Sequence, residues 1–173
     1  MRSEVPPFLT WKVDEKLRIL ERRGFTVHRR QGAALDNICS VMASQVLRSG
    51  WKELLWVDAS VDFDLGGIAL ARSSGKDIVG AVYPSEDGVG FATQFLKGTK
   101  EVRLGETGGL LEVQHTGMGF LFTRRNVYDE MQKLLKLPQC NEGNIIYAQP
   151  HHNDHLFPWH FTQTHMTHLI NMS

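Results

Sequence analysis

A chain of 173 residues is long enough for one domain that buries a core without disulfide or metal staples. With 42% hydrophobic and 22% charged residues it is neither a disordered nor a fibrous sequence, and 19 basic side chains against 19 acidic ones leave no global field that would recruit nucleic acid or an anionic membrane. Cys39 and Cys140 stand in no CxxC spacing, no apolar run approaches the roughly 18 residues of a membrane span, and "MRSEVPPFLTW" lacks the apolar core of a signal peptide. The expectation is therefore a cytoplasmic protein with reduced thiols, no membrane span and no nucleic-acid partner.

The first predicted element is an amphipathic helix in "KVDEKLRILERRGF", with Val13, Leu17 and Leu20 on one stripe, acids at its start and Arg22, Arg23 and Gly24 at its end. "FTVHR" reads as a short strand that Gly32 breaks. "LDNICSVMASQVLRSG" then sets Leu35, Ile38, Met42 and Val46 at helical spacing, with Gly50 as a stop. "ELLWVDA" is a continuous apolar run of strand length, as expected of a strand covered on both faces. A short helix in "GGIALARSSG", a strand in "DIVGAVYP", Gly-interrupted strands and a helix from about Asn126 to Leu137-Pro138 follow. Alternation of this kind predicts an α/β three-layer sandwich with a mostly parallel central sheet.

Beyond "ELLWVDA" the chain runs "VDASVDFD", with Asp58, Ser60, Asp62 and Asp64 spaced two apart. On an extended segment these side chains point to one side and present oxygens to a hard divalent cation, at the strand end where open α/β sheets bind ligands. The competing reading is that the aspartates terminate a strand and cap the next helix, where Asp is favoured, and spacing alone tilts toward it.

Several stretches, in order, carry a resemblance that shifts this balance: "VPPF", "LERRGFTVHRRQGAALDNICSVMASQVLRSGWKELLWVDASVDFD", "DIVGAVYPSE", "LLEVQHTGMGFLFTRRNVYDEM" and "LPQCN", together spanning about residues 5–150. They resemble the compact bacterial and phage-type glycosyltransferases of the GT-A fold, whose DxD-like strand end holds a nucleotide-sugar donor through a divalent metal. The resemblance implies a GT-A-like domain over 1–150 and a histidine- and aromatic-rich tail, 151–173, unlike the family. It implies Asp36, Ser40, Asp58, Ala59, Ser60 and Tyr83 near the nucleotide donor. Asp58, Ser60 and Asp62 fall at a manganese or magnesium ion, with Asp64 as an alternative to Asp62. His115, Thr116, Gly117 and Gly119 fall near the sugar or the hydroxyl acceptor.

The sequence also departs from the family. Ser60 stands at the second acid of the motif, Cys39 and Ser40 stand where an Arg and an Asn are usual, and Ser85 replaces a lysine, so two cations that would face phosphate are missing. The acidic segment suited to activating an acceptor hydroxyl has no counterpart after "NIIYAQP", and no catalytic residue is assigned. Cys39 reads as a small core residue, and Arg124 and Arg125 as a solvated helix start. In the tail, which holds six of the eight histidines, His151, His152, His155, His165 and His168 have i,i+3 and i,i+4 spacings that suit zinc on a helix, but Pro150 and Pro158 oppose one. The tail aromatics Phe157, Trp159 and Phe161 favour burial on the body or on a second subunit, which leaves a homo-oligomer open. Two functions follow: a metal-assisted glycosyltransferase, or a catalytically inactive binding or interaction protein on the same scaffold.

Overall fold

A computed structural model describes residues 7–31, 35–85, 88–105, 109–135 and 166–171, with the side chains at 7–10, 31, 35–37 and 166–171 left undescribed. The chain order is α1 (Pro7–Arg22), β1 (Thr26–Gln31), α2 (Leu35–Ser49), β2 (Glu53–Asp58), α3 (Leu65–Ser73), β3 (Ile78–Gly80), β4 (Thr93–Phe95), β5 (Val113–Thr116), β6 (Phe120–Arg124), α4 (Arg125–Leu135) and β7 (Met166–Asn171). Helix α1 starts at Pro7, ahead of the Lys12 that opens the expected helix. Proline suits a first turn, where its missing N–H removes no intrahelical bond.

Strand β2 is the middle of a five-stranded sheet ordered β1-β7-β2-β6-β3. Its alternation separates two cores. Leu55 and Val57 pack with Val13, Leu17 and Leu20 of α1, Ile68 and Ala71 of α3, and Phe120 and Phe122 of β6. Leu54 and Trp56 pack on the opposite face with Met42 and Val46 of α2, Leu121 of β6 and the partly buried Tyr128 of α4. That is why "LLWV" is apolar at every position: each face of β2 carries a layer of helices, and full burial of one such side chain contributes about 1.5–3 kcal/mol.

The mostly parallel sheet expected from the alternation of strands and helices does not form. Every adjacent pair in the five-stranded sheet is antiparallel. Strands β1, β2 and β3 do run in one direction, returned to it by α2 and α3, but β7 lies between β1 and β2, and β6 between β2 and β3. Helical crossovers decide strand direction, whereas adjacency is decided by whichever strand fills the intervening slot. Here β6, which follows only after β4 and β5, and β7, from the histidine-rich tail, fill the two slots. β4 and β5 form a separate antiparallel pair, and "DIVGAVYP" supplies only a three-residue strand before the chain leaves the sheet.

The buried junction of the second core is polar at one point. Trp56 Nε1–H donates to Tyr128 Oη at 2.6 Å, and the Tyr128 and Thr123 hydroxyls are 2.7 Å apart. Burial pushes the Tyr128 phenol up to about 12. An unfolded tyrosine ionises near 10.0, so between pH 10 and 12 the folded state binds more protons, and stability should fall with rising pH at up to about 1.4 kcal/mol per unit. Tyr128→Phe should remove that dependence and cost about 1–3 kcal/mol at neutral pH, because the indole N–H loses its acceptor; urea denaturation across pH checks both. Leu169→Pro should remove a ladder bond from a strand paired on both edges, which hydrogen exchange would report as lost protection in β1.

Candidate functional site

Asp58 closes β2 at its carboxyl end, and the chain turns at once. Val61 N–H donates to the Asp58 carbonyl at 3.1 Å, while the Ser60 N–H and Ser60 Oγ–H both donate to Asp58 Oδ1, at 2.8 and 2.7 Å. This is an Asx turn, the local bond that Asp offers when the residue two positions on has a donor to give. The period-two alternation expected of "VDASVDFD" therefore ends at Asp58, since residues 59–60 form the turn and 61–64 are irregular.

The turn separates the candidate metal ligands. Asp58 and Ser60 stay together. Ala59 is buried. Asp62 instead meets α1, where Lys16 Nζ binds its carboxylate and Lys12 Nζ lies 3.9 Å away. Lys16 also donates to the Phe63 carbonyl at 2.5 Å and sits over the Phe63 ring. The hydrogen bond from Lys16, helped by the charges of both lysines, holds the Asp62 carboxyl below the usual range. Asp64 precedes α3 with extended backbone and no side-chain capping bond.

Whether these residues suit a divalent metal can be judged from their partners. Asp58 with the Ser60 hydroxyl beside it fits a hard cation that takes its remaining ligands from substrate phosphate and water. Asp62 does not join that set, because two ammonium groups already occupy it. Among the described residues no cluster of three or more His, Cys, Asp or Glu side chains is suited to a metal.

Across from Asp58, β6 and the segment before it form a close-packed wall. Asp58 N–H donates to the Gly119 carbonyl at 3.0 Å, Gly119 N–H donates to Tyr83 Oη at 2.7 Å, and Gly117 N–H donates to the Ala92 carbonyl at 2.7 Å. Burial raises the Tyr83 phenol above its ordinary value, and the charge of Asp58 adds to this, so Tyr83 is a neutral hydroxyl at physiological pH. The glycines have a packing role. A Cβ on Gly117 would lie 2.2 Å from Tyr83 Oη, and one on Gly119 would lie 2.6 Å from Tyr83 Cζ and 2.7 Å from Val61. The space that glycine leaves is filled by Tyr83 itself.

Thr116 faces inward, its methyl and hydroxyl both 2.5 Å from where a Gly80 Cβ would be, with its hydroxyl 3.3 Å from that of Thr93. His115, its neighbour on β5, is exposed. Ser40 lies in α2, and its carbonyl accepts from Ser44. The Asp36 side chain lies outside the described residues, as do residues 151–165 with His151, His152, His155 and His165, and the side chain of His168. Cys39 packs against the second core.

Arg124 and Arg125 are structural anchors rather than solvated charges. Arg125 donates to the Val46 and Leu47 carbonyls at 3.1 and 2.9 Å, closing the end of α2, and Arg124 donates to the Arg72 carbonyl at 3.1 Å in the last turn of α3. A pair of arginines following a strand carries no local signal that distinguishes this from a solvated helix start.

No family model matches the sequence, and neither a curated protein nor a solved structure is significantly similar to it. No helix among the described residues is long and apolar enough to cross a membrane.

Gly119→Ala should force Tyr83 off its site and break the Gly119–Tyr83 bond, at a cost of about 1–3 kcal/mol as for other overpacked cores. Chemical denaturation reads the cost, and Tyr83→Phe in the same background should add little to it.

Proposed function

We propose that this chain is a glycosyltransferase-like protein that binds a nucleotide-sugar donor over the carboxyl end of β2 and passes the sugar to a hydroxyl acceptor. The observation that carries this reading is the position of Asp58. It is a half-buried carboxylate at the mouth of the central strand, held in a fixed orientation by the Ser60 turn and walled by Gly119 and the neutral Tyr83 hydroxyl. A carboxylate with a hydroxyl beside it, where a buried strand meets solvent, suits a hard cation that carries the phosphates of a sugar nucleotide.

In this reading Asp58 and Ser60 hold a manganese or magnesium ion together with the donor's phosphates, and the ion, when bound, offsets the charge of the leaving diphosphate. Tyr83 fixes the backbone at Gly119 and so the wall against which the donor rests. His115, exposed on β5, is the residue of the "HTGMG" stretch available to an acceptor. A binding protein without turnover is the second reading, favoured by one observation: Asp62, the further acid of the motif, is taken up by Lys16 and Lys12.

Calorimetry with a panel of nucleoside diphosphates, with and without manganese, tests the site. Metal-dependent binding that Asp58→Ala weakens by about tenfold or more, equivalent to about 1.4 kcal/mol, is the expected result. No heat at millimolar ligand would sink the donor site. Donor hydrolysis by the wild type then separates the enzyme from the binding protein.

A further inference from the structure

Equal totals of acid and base hide an uneven placement. The registers align Thr26 of β1, Asn171 of β7, Leu54 of β2, Thr123 of β6 and Ile78 of β3 in one row across all five strands, a rim of four strand spacings or roughly 19 Å. Just beyond that row, at the end of the sheet away from Asp58, lie Arg22 and Arg23 before β1, Lys52 before β2 and Lys76 before β3, all exposed. Backbone bonds join the strand ends there: Arg125 N–H donates to the Lys52 carbonyl and Arg124 N–H to the Asp77 carbonyl, both at 2.9 Å.

The acids at this end are engaged. Glu53 pairs with Arg72 at 2.8 Å, Asp129 with Arg125 at 3.3 Å and Glu21 with Arg29 at 2.6 Å, and Asp77 accepts from Asn126 at 2.8 Å. Among the described residues none of Arg22, Arg23, Lys52 and Lys76 enters an ion pair. Part of their charge answers helix ends. Helices α1, α2 and α3 all finish here, each bringing about half a negative charge, while the start of α4 brings about half a positive one. Arg22 lies in the last turn of α1, whereas Arg23, Lys52 and Lys76 lie outside any helix, so a positive excess remains.

The chemistry of the rim selects among anions. Trp51, the aromatic beside Lys52, is stacked on His28 with ring centroids 4.7 Å apart, and the exposed aromatics Trp11 and Phe91 lie elsewhere, so the rim offers no free ring for a nucleic-acid base to stack on. What it exposes beside the cations is aliphatic: Ile78 in the row is 54% exposed, and Leu70 of α3 is 56% exposed. A plane of lipid headgroups needs neither ring nor groove and accepts both cation and alkyl group. We propose that this end of the sheet docks on an anionic lipid bilayer, with Arg22, Arg23, Lys52 and Lys76 at the headgroups and Ile78 entering the interface among them. Each cation near such a surface is worth about fivefold in partitioning. The length of β2, about 20 Å, then separates the bilayer from Asp58, which faces water. The proposal goes beyond the nucleotide-sugar reading and stands without it.

Co-sedimentation of the full chain with vesicles of phosphatidylcholine alone, and of phosphatidylcholine with phosphatidylserine, tests the surface. The wild type should sediment with the serine-containing vesicles, less so as salt rises, and stay in solution with phosphatidylcholine alone. Lys52→Gln/Lys76→Gln and Arg22→Gln/Arg23→Gln should each lower partitioning about tenfold or more, while Lys97→Gln/Lys100→Gln, the same charge change beyond β4, stays within about twofold. Two separate pairs let one decide where circular dichroism shows the other unfolded. An equal loss in Lys97→Gln/Lys100→Gln would trace binding to net charge and overturn the surface, as would equal binding to both kinds of vesicle. DNA bound through these cations, with no vesicle binding, would give the rim to nucleic acid and overturn the lipid assignment. No sedimentation at low salt overturns it outright.

Discussion

Everything in this molecule hangs on β2 being buried on both faces and hydrogen-bonded on both edges. Leu54 and Trp56 face one core and Leu55 and Val57 the other, so a single strand divides the apolar interior into two layers that share no side chain of β2. Its edges are taken by β7 and β6, which leaves its backbone groups paired in the sheet and its carboxyl end as the place where a buried element meets solvent. Polar chemistry collects there for that reason: after the buried run of residues 54–57, Asp58 is the first side chain of β2 that escapes full burial.

Two adjacent side chains tie one helix of each layer to the end of β6, the neighbour of this strand. Arg125 binds the carbonyl end of α2 and Arg124 that of α3, on opposite faces of the sheet, from the junction of β6 and α4. Cations at helix carbonyl ends satisfy acceptors that have no partner within the helix and favour the negative end of the dipole. On the opposite end of the sheet, Lys16 binds the Asp62 carboxylate and the Phe63 carbonyl, fixing the segment after β2 to α1. The same contact that steadies this loop takes Asp62 out of reach of a metal at Asp58, so the loop's rigidity and its ligand set are not independent.

The helices α1 and α2, the two-sided burial of β2 and the end of that strand at Asp58 were legible because each depends on local periodicity. Val13, Leu17 and Leu20 fall on a helical stripe and are buried together, and "LLWV" has no polar position and is buried throughout. The sheet's hand of cards was not legible: crossovers told the direction of β1, β2 and β3, yet nothing local told that β6 and β7 would stand between them. The packing role of Gly117 and Gly119 was hidden for a similar reason. A glycine signals that space is needed, but only the fold shows that Tyr83, 34 and 36 residues earlier in the chain, is what takes it.

By itself the sequence determined which segments are helical or extended, which faces are apolar and where the central strand stops, because these follow from side-chain spacing along a regular backbone. Tertiary structure alone decided strand neighbours, the turn that sends Asp62 to the lysines of α1, and the row that gathers Arg23, Lys52 and Lys76 at one end of the sheet. Those are relations between residues distant in sequence, governed by hydrogen-bond pairing and by charges that meet only once the chain is packed.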